Sequence, residues 1–394
     1  MSDKSATLMM VVTDAVSFNI LCAGQLEYIR RHWSGRIVLV CGGSYEQVSK
    51  LIDRNVGDVV HLPQLRRRPS LFSDLISLIH LFAVIMRVRP VIVVYSTPKA
   101  LLLASLVAFL AGVRVRLALI RGRVYENFKG YRRMVFVVLD RVSLGLSTHT
   151  VFISESLRKA YTEEGIVAPP KADVLGAGSS NGIDTLLFRP PSSMERRKCR
   201  QNLGLKVDEF AVLAVGRLCV DKGAREFCQI AERLGPPFRF FWVGSVEDQS
   251  LLSDIERAGK IGGNVEYIGQ VENVLPYLWA ADAHLFLTHR EGFGNVAIEA
   301  AACGLQTVAF DVVGVTDSVA NGVSGTRVPF ADISAVAAVL MELQMSGSSR
   351  ASDRVAARSW VEREFNQHIC WSRWFQYLIR ASERSTENGQ FKNY

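Results

Sequence analysis

No pair among the seven cysteines (Cys22, Cys41, Cys199, Cys219, Cys228, Cys303 and Cys370) has the short spacing of a metal site or a redox motif. Most lie in apolar stretches, where Cys acts as a small hydrophobe, and this usage suits a reducing cytosol. Asp-X-Asp never occurs, and no His, Cys and Asp cluster has metal-ligand spacing, so neither a metal ion nor a cofactor is expected. No low-complexity tract precedes the last dozen residues, which excludes disordered and fibrous classes. The start, MSDKSATLMMVV, lacks a basic region followed by a long apolar run and reads as a first strand rather than a signal peptide. Helix-turn-helix, zinc-finger and RNP-like signatures are missing, so nucleic acid is not an expected partner. Long apolar runs are missing too. Residues 71–86 contain Asp74 and His80, and residues 100–113 are uncharged but only 14 long, against the roughly 20 a membrane span needs. Both read as helices buried against a sheet, the alternative being that one of them dips into the membrane interface.

What remains is an ordinary globular composition, 49% hydrophobic and 21% charged, spread over 394 residues. That length exceeds what one hydrophobic core organises, so two domains are expected. Charge is shared unevenly between them. Residues 1–190 carry 24 Lys and Arg against 14 Asp and Glu, a net of +10, which leaves 22 against 24 in the remainder, a net of −2. A basic first half can serve an anionic membrane or a phosphorylated substrate.

Short β-branched runs alternate with helical patterns from the first residue onward. Strands are expected at 8–13, 36–41, 91–95, 113–119 and 149–153, and, after a break at Arg189-Pro190-Pro191, at 210–215, 239–243, 264–268, 283–287 and 306–310. This is the doubly wound α/β pattern written twice, giving two tandem Rossmann-like domains over 1–190 and 191–364. The segment 351–382 is helical and rich in Trp and Phe, and residues 365–394 are expected to cross back onto the first domain and end in a polar tail.

The strongest chemical signal is Glu291-Gly292-Phe293-Gly294-Asn295-Val296-Ala297-Ile298-Glu299, between an expected strand and helix. Gly292 and Gly294 let the backbone approach a ligand, and the amides of Gly294, Asn295 and Val296 would point out of a helix N-terminus at an anion. Such a cradle fits a diphosphate. Glu299, about one turn in, can reach a ribose hydroxyl pair. A second signal follows the first strand of the second domain: Gly216-Arg217, then Lys222-Gly223. Two cations five residues apart at a strand end can neutralise charge building on a diphosphate leaving group, which is a metal's work.

The Glu-X7-Glu element, the Gly-Arg and Lys-Gly pair and the tandem layout together resemble the retaining family-four glycosyltransferases of the GT-B fold, over essentially the whole chain. Gly24-Gln25-Leu26, Thr97-Pro98-Lys99-Ala100, Arg121-Gly122, Ile153-Ser154-Glu155-Ser156 and the segment 178–184 are similar to bacterial members that extend lipid-linked capsule, O-antigen or exopolysaccharide units. The resemblance implies a metal-independent hexosyltransferase taking a nucleotide-sugar donor, UDP-linked, and a polyprenyl-diphosphate-linked sugar acceptor. It implies Arg217 and Lys222 on the diphosphate, Glu299 on the ribose, Glu291 and the backbone of 292–296 on the donor sugar, Gly24 facing the phosphates, and Gly244 and Val271 at the base. Where many relatives place a sugar-facing histidine, this sequence has Ser96. Glu126 is the candidate acceptor-side base, and His289 a further candidate for the cleft. A nucleotide-sugar 2-epimerase and a non-catalytic partner subunit share the architecture; Glu291, Glu299, Arg217 and Lys222 favour transfer. The basic first half, with Arg66-Arg67-Arg68 ahead of an apolar helix, places the chain peripherally on the cytoplasmic face of the plasma membrane, docked to an anionic surface.

Overall fold

The computed structural model describes residues 6–68, 70–346 and 351–390, and the chain divides into two compact units. The first gathers everything up to Gly182 together with the chain from Gln367 onward; the second is Ile183–Asn366.

The first unit is built on seven parallel strands: β1 (Leu8–Val12), β2 (Ile37–Cys41), β3 (Asp58–His61), β4 (Ile92–Ser96), β5 (Val115–Ile120), β6 (His149–Phe152) and β7 (Ala172–Val174). Their order is β3-β2-β1-β4-β5-β6-β7. The central strands are continuous apolar runs because both faces are covered, as in Leu8–Val12, where every residue is buried. The order in which strands are added reverses between β1 and β4, whose registers both start at Leu8, opposite Ile37 on one side and Ile92 on the other. Ligands of doubly wound sheets bind outside the carboxyl ends of the strands at such a switch point.

The second unit repeats the plan with β8 (Phe210–Val215), β9 (Phe238–Val243), β10 (Val265–Gly269), β11 (Ala283–Phe286), β12 (Gln306–Phe310) and β13 (Gly325–Val328). The order is β10-β9-β8-β11-β12-β13, so the switch point lies between β8 and β11. The two-residue period of the strands splits the core in two. Val212, Ala214, Phe240 and Trp242 pack on one face, and Ala211, Leu213, Phe241 and Val243 on the other.

Helix Gln367–Gln390 returns to the first unit, where Tyr377 donates to Asp173 Oδ2 at 2.6 Å and Trp371 donates to Asn181 Oδ1 at 2.7 Å. Its aromatic stripe is thus core. Two expectations need correction. The break expected at 190/191 falls at 182/183, because 183–190 is stitched into the second unit: Ile183 N–H donates to Phe365 O at 2.8 Å. Arg358 donates to the carbonyls of Thr185 and Phe188, each at 3.1 Å, and Trp279 donates to Arg189 O at 2.8 Å. Helix Leu71–Val88 is not buried against the sheet as expected. Only one face packs inward, through Ser77, Leu81 and Ile85, and Phe72, Leu75 and Ile79 are 76%, 58% and 60% exposed. His80, expected to pack, is exposed as well.

Candidate active site

In the second unit the carboxyl ends of four neighbouring strands bring the second-half candidates together. Behind β8, Gly216 is overlapped by the next strand's turn: a Cβ on Gly244 would stand 1.9 Å from Gly216 O. Tyr267 then donates to Gly244 O at 2.7 Å, and Gly244 N–H donates to Gly269 O at 2.8 Å. This chain of close approaches aligns the loops that carry Arg217, Gly244 and Val271. Val271 itself is half-buried against the apolar layer of Phe241 and Leu275.

Lys222 closes a short 3-10 turn, Val220–Lys222, and the chain then passes through Gly223 at φ +78 into helix Ala224–Arg233. Only glycine fits there, since a Cβ would lie 2.1 Å from Leu287 O at the end of β11. The two loops are also tied by side chains. Asp221 O accepts from Thr288 Oγ1 at 2.9 Å and from His289 N–H at 2.8 Å, and Asp221 Oδ2 accepts from Arg290 Nε at 2.8 Å. His289 Nε2 meets Glu226 Oε1 at 2.9 Å, so this ring is taken up in bracing the loop. The result of this bracing is that Lys222 Nζ and Glu291 Oε1 form an ion pair, with side chains 21% and 16% exposed. Arg217 pairs with Glu247 in a far more exposed setting, where such pairs contribute little and exchange readily for another anion.

The glycine-rich element turns directly into a short helix. Gly294, at φ +91, is the N-cap of helix Asn295–Ala302 and supplies no side-chain cap. A Cβ there would stand 2.7 Å from the Phe286 ring, and one on Gly314 would stand 2.7 Å from Glu291 O, so both turns are packed into fixed positions. Phe293 is 2% exposed and lies 5.2 Å from the Phe365 ring; only its backbone is available to a ligand. Val296 packs half-buried beside Phe286 and Val315. Glu299 is half-buried with no charged partner among the described residues, and burial pushes its carboxyl up to about 7.

The first-unit candidates have structural engagements of their own. Gly24, at φ +74, caps helix Gln25–His32, and a Cβ there would lie 2.4 Å from the Trp371 ring; its missing side chain makes room for that indole. Ser96, 5% exposed, ends β4. Both carboxylate oxygens of Glu126 are taken by Arg123, whose guanidinium also reaches Glu164 Oε1 at 2.6 Å, so proton abstraction by Glu126 would have to begin by breaking that pair. Asn181 donates to Ala23 O at 2.8 Å, giving the 178–184 segment a bracing role.

Three geometric features go beyond the sequence, which singled out the segments of Thr97 and Arg121 by resemblance alone. Thr97, a β-branched residue, sits at φ +76 directly after β4, at the switch point, its hydroxyl 3.1 Å from that of Thr13 behind β1. Strain of this kind persists where the surroundings over-determine it. Arg121, following β5, has buried Nε and Nη1 atoms without partners among the described residues, while its Nη2 donates to Cys22 Sγ at 3.4 Å. The third is the Asp221–Arg290 link. A positive φ at a threonine and a half-buried guanidinium with unpartnered nitrogens both depend on tertiary placement, which residue spacing does not reveal.

Residues 209–345 match the family model described as glycosyl transferases group 1. The chain is 30% identical over 373 residues to the capsular polysaccharide biosynthesis glycosyltransferase CapM of Staphylococcus aureus, an alignment covering 93% of this chain and 95% of that protein. It is 26% identical over 282 residues to the Escherichia coli UDP-Gal:alpha-D-GlcNAc-diphosphoundecaprenol alpha-1,3-galactosyltransferase, covering 69% and 71% of the two. Among solved structures, HepE of Anabaena in complex with UDP superposes with a TM-score of 0.78 at 17% identity, covering 95% of this chain and 99% of that one; the likeness shows the shared fold.

Proposed function

The chain belongs to the group 1 glycosyl transferases, and from that premise we propose that it transfers a hexose or N-acetylhexosamine, with retention, from a UDP-linked donor to a polyprenyl-diphosphate-linked saccharide in bacterial surface polysaccharide synthesis. The observation that carries this reading is the convergence behind β8 and β11 of Lys222, its partner Glu291 and the glycine-capped start of helix Asn295–Ala302. That is a cation, a carboxylate and a positive helix end gathered at a switch point, the chemistry that a nucleotide diphosphate sugar requires.

In this reading the diphosphate displaces Glu291 from Lys222 and Glu247 from Arg217. Glu291, released, orients the donor sugar, Glu299 accepts from the ribose hydroxyls, and Gly244 and Val271 border the base. The acceptor hydroxyl oxygen bonds to the anomeric carbon on the face from which the diphosphate departs, and its proton passes to the departing phosphate oxygen. Arg217, Lys222 and the helix start stabilise the charge that builds there. No enzyme nucleophile and no metal ion takes part. The first unit receives the acceptor. Arg121, half-buried with Nε and Nη1 lacking partners among the described residues, is suited to an acceptor phosphate, since donors buried without a partner are costly until an anion meets them. The name of the diphosphoundecaprenol enzyme supports a lipid-linked acceptor and that of CapM a role in capsular polysaccharide synthesis, and the basic first half supports a peripheral position on the inner face of the plasma membrane. The test is a donor screen reading nucleoside diphosphate release with and without a polyprenyl-diphosphate sugar. Acceptor-dependent release of UDP is expected; a proton exchange at the donor sugar without release would indicate an epimerase instead.

A further inference from the structure

Helix Leu71–Val88 presents a row of large apolar side chains to solvent. Phe72, Leu75, Ile79, Phe82 and Met86 are 76%, 58%, 60%, 40% and 47% exposed, and their spacing alternates three and four residues, which places them on one face. The helix's single carboxylate, Asp74, is paired with Lys99 Nζ at 2.7 Å, its side chain 22% exposed. The row is not isolated. Helix Pro98–Leu110 packs against this helix and against helix Gly130–Leu146, and the latter exposes Met134, Val138 and Val142 by 56%, 49% and 47% at steps of four. An apolar patch of this extent marks an interaction surface.

Charge identifies the occupant. Exposed Arg66, Arg67 and Arg68 stand at the start of helix Leu71–Val88, exposed Arg87 and Arg89 at its end, and exposed Lys129 and Arg132 at the start of helix Gly130–Leu146. A second copy of the chain, meeting this face through a two-fold axis, would bring the same cations against themselves. An anionic lipid leaflet accepts the apolar row and the basic rim together.

We propose that this face is an in-plane membrane anchor: helix Leu71–Val88 lies in the interface with Phe72, Leu75, Ile79, Phe82 and Met86 in the acyl boundary, its terminal arginines among anionic headgroups. The anchor rests on the membrane-facing reading above and deepens it, replacing docking by charge alone with insertion. Binding then has two components that separate experimentally, since salt screens the rim and leaves the apolar row.

The test is co-sedimentation of the full chain with vesicles of phosphatidylglycerol and phosphatidylcholine in equal parts, together with the emission of an Ile79→Trp variant. Wild type should pellet, less at high salt but measurably. Replacing Ile79 and Phe82 by Glu should weaken partition at least about tenfold, and the Ile79→Trp emission should shift to the blue and be quenched by brominated acyl chains. Pelleting without any change in that emission would overturn insertion, and so would failure to pellet. A wild-type dimer converted to monomer by the Glu variants would name a second copy as the occupant. The same variants should release UDP at the wild-type rate with a short-chain, soluble acceptor. Absence of release in wild type and variants alike would count against the transferase reading and leave the anchor standing.

Discussion

The state of Glu299 offers a quantitative handle on the donor site. Its carboxyl is held at about 7 by burial, with no cation beside it among the described residues, whereas an unfolded glutamate titrates near 4.3. If the carboxylate is the form that accepts from two ribose hydroxyls, the proton competes with the nucleotide. With a midpoint of about 7, about one carboxyl in eleven is ionised at pH 6 and about ten in eleven at pH 8, so UDP should bind roughly tenfold weaker at pH 6, a difference of about 1.4 kcal/mol. The assay is calorimetric titration of wild type and Glu299→Gln with UDP between pH 5.5 and 8.5. Taking the difference between the two proteins cancels the nucleotide's own protonation. At pH 8 the variant should bind about 10 to 100 times more weakly, the usual loss for a hydrogen bond to a charged group. Stability runs in the opposite sense. The folded state keeps a proton that the unfolded chain releases, so the ligand-free protein loses stability as pH rises from about 4.3 to about 7. Glu299→Gln removes that loss and should raise the melting temperature at pH 8. A wild-type affinity equal at pH 6 and pH 8, or a Gln variant that binds like wild type, would refute the ribose assignment.

Other expectations follow from the same geometry. Replacing Lys222 or Arg217 by Ala should cost about 3 kcal/mol of transition-state stabilisation, roughly a hundredfold in turnover, measured as UDP release; near-normal turnover in both would contradict the diphosphate assignment. Glu291→Gln, which leaves Lys222 without its resident carboxylate, should bind UDP at least as tightly as wild type while turning over more slowly. Activity should persist in excess EDTA, and its loss on chelation with recovery on adding manganese would show that a metal does what the two cations are assigned here. Buried His284 is held down at about 3 by desolvation. Folding should therefore lose about 1.4 kcal/mol per pH unit as the pH falls below about 6.5, and His284→Gln should flatten that slope in thermal melts.

Much of this architecture is legible in the residues alone, and the parts that are not share physical causes. Nine of the ten expected strands stand out because central strands of a parallel sheet are buried on both faces and must be apolar throughout; the tenth, β10, is an edge strand that shows as a short β-branched and aromatic run. The three that do not stand out, β3, β7 and β13, are the other sheet edges. Asp58, Asp173 and Arg327 are tolerated in them because one side of an edge strand faces no neighbour. The second-unit candidates are legible because they lie in short contiguous motifs, 291–299 and 216–223. Its bracing by Arg290 and Asp221 joins residues 69 apart and is visible only in three dimensions. Gly24 illustrates the converse: a glycine expected to admit a phosphate is adjacent to an indole from the far end of the chain. Helix Leu71–Val88 was expected to be buried because it is apolar, yet its hydrophobicity serves two faces, and no part of the chain among the described residues covers the row of Phe72, Leu75 and Ile79.

The most direct test of the central claim is a full-chain reaction with UDP-sugar donors and a polyprenyl-diphosphate sugar acceptor, following both released UDP and the anomeric configuration of the product by NMR. The account requires UDP release that depends on the acceptor, a product with the donor's configuration, and loss of both signals in the Lys222→Ala variant. An inverted product, or undiminished release from Lys222→Ala, would contradict it.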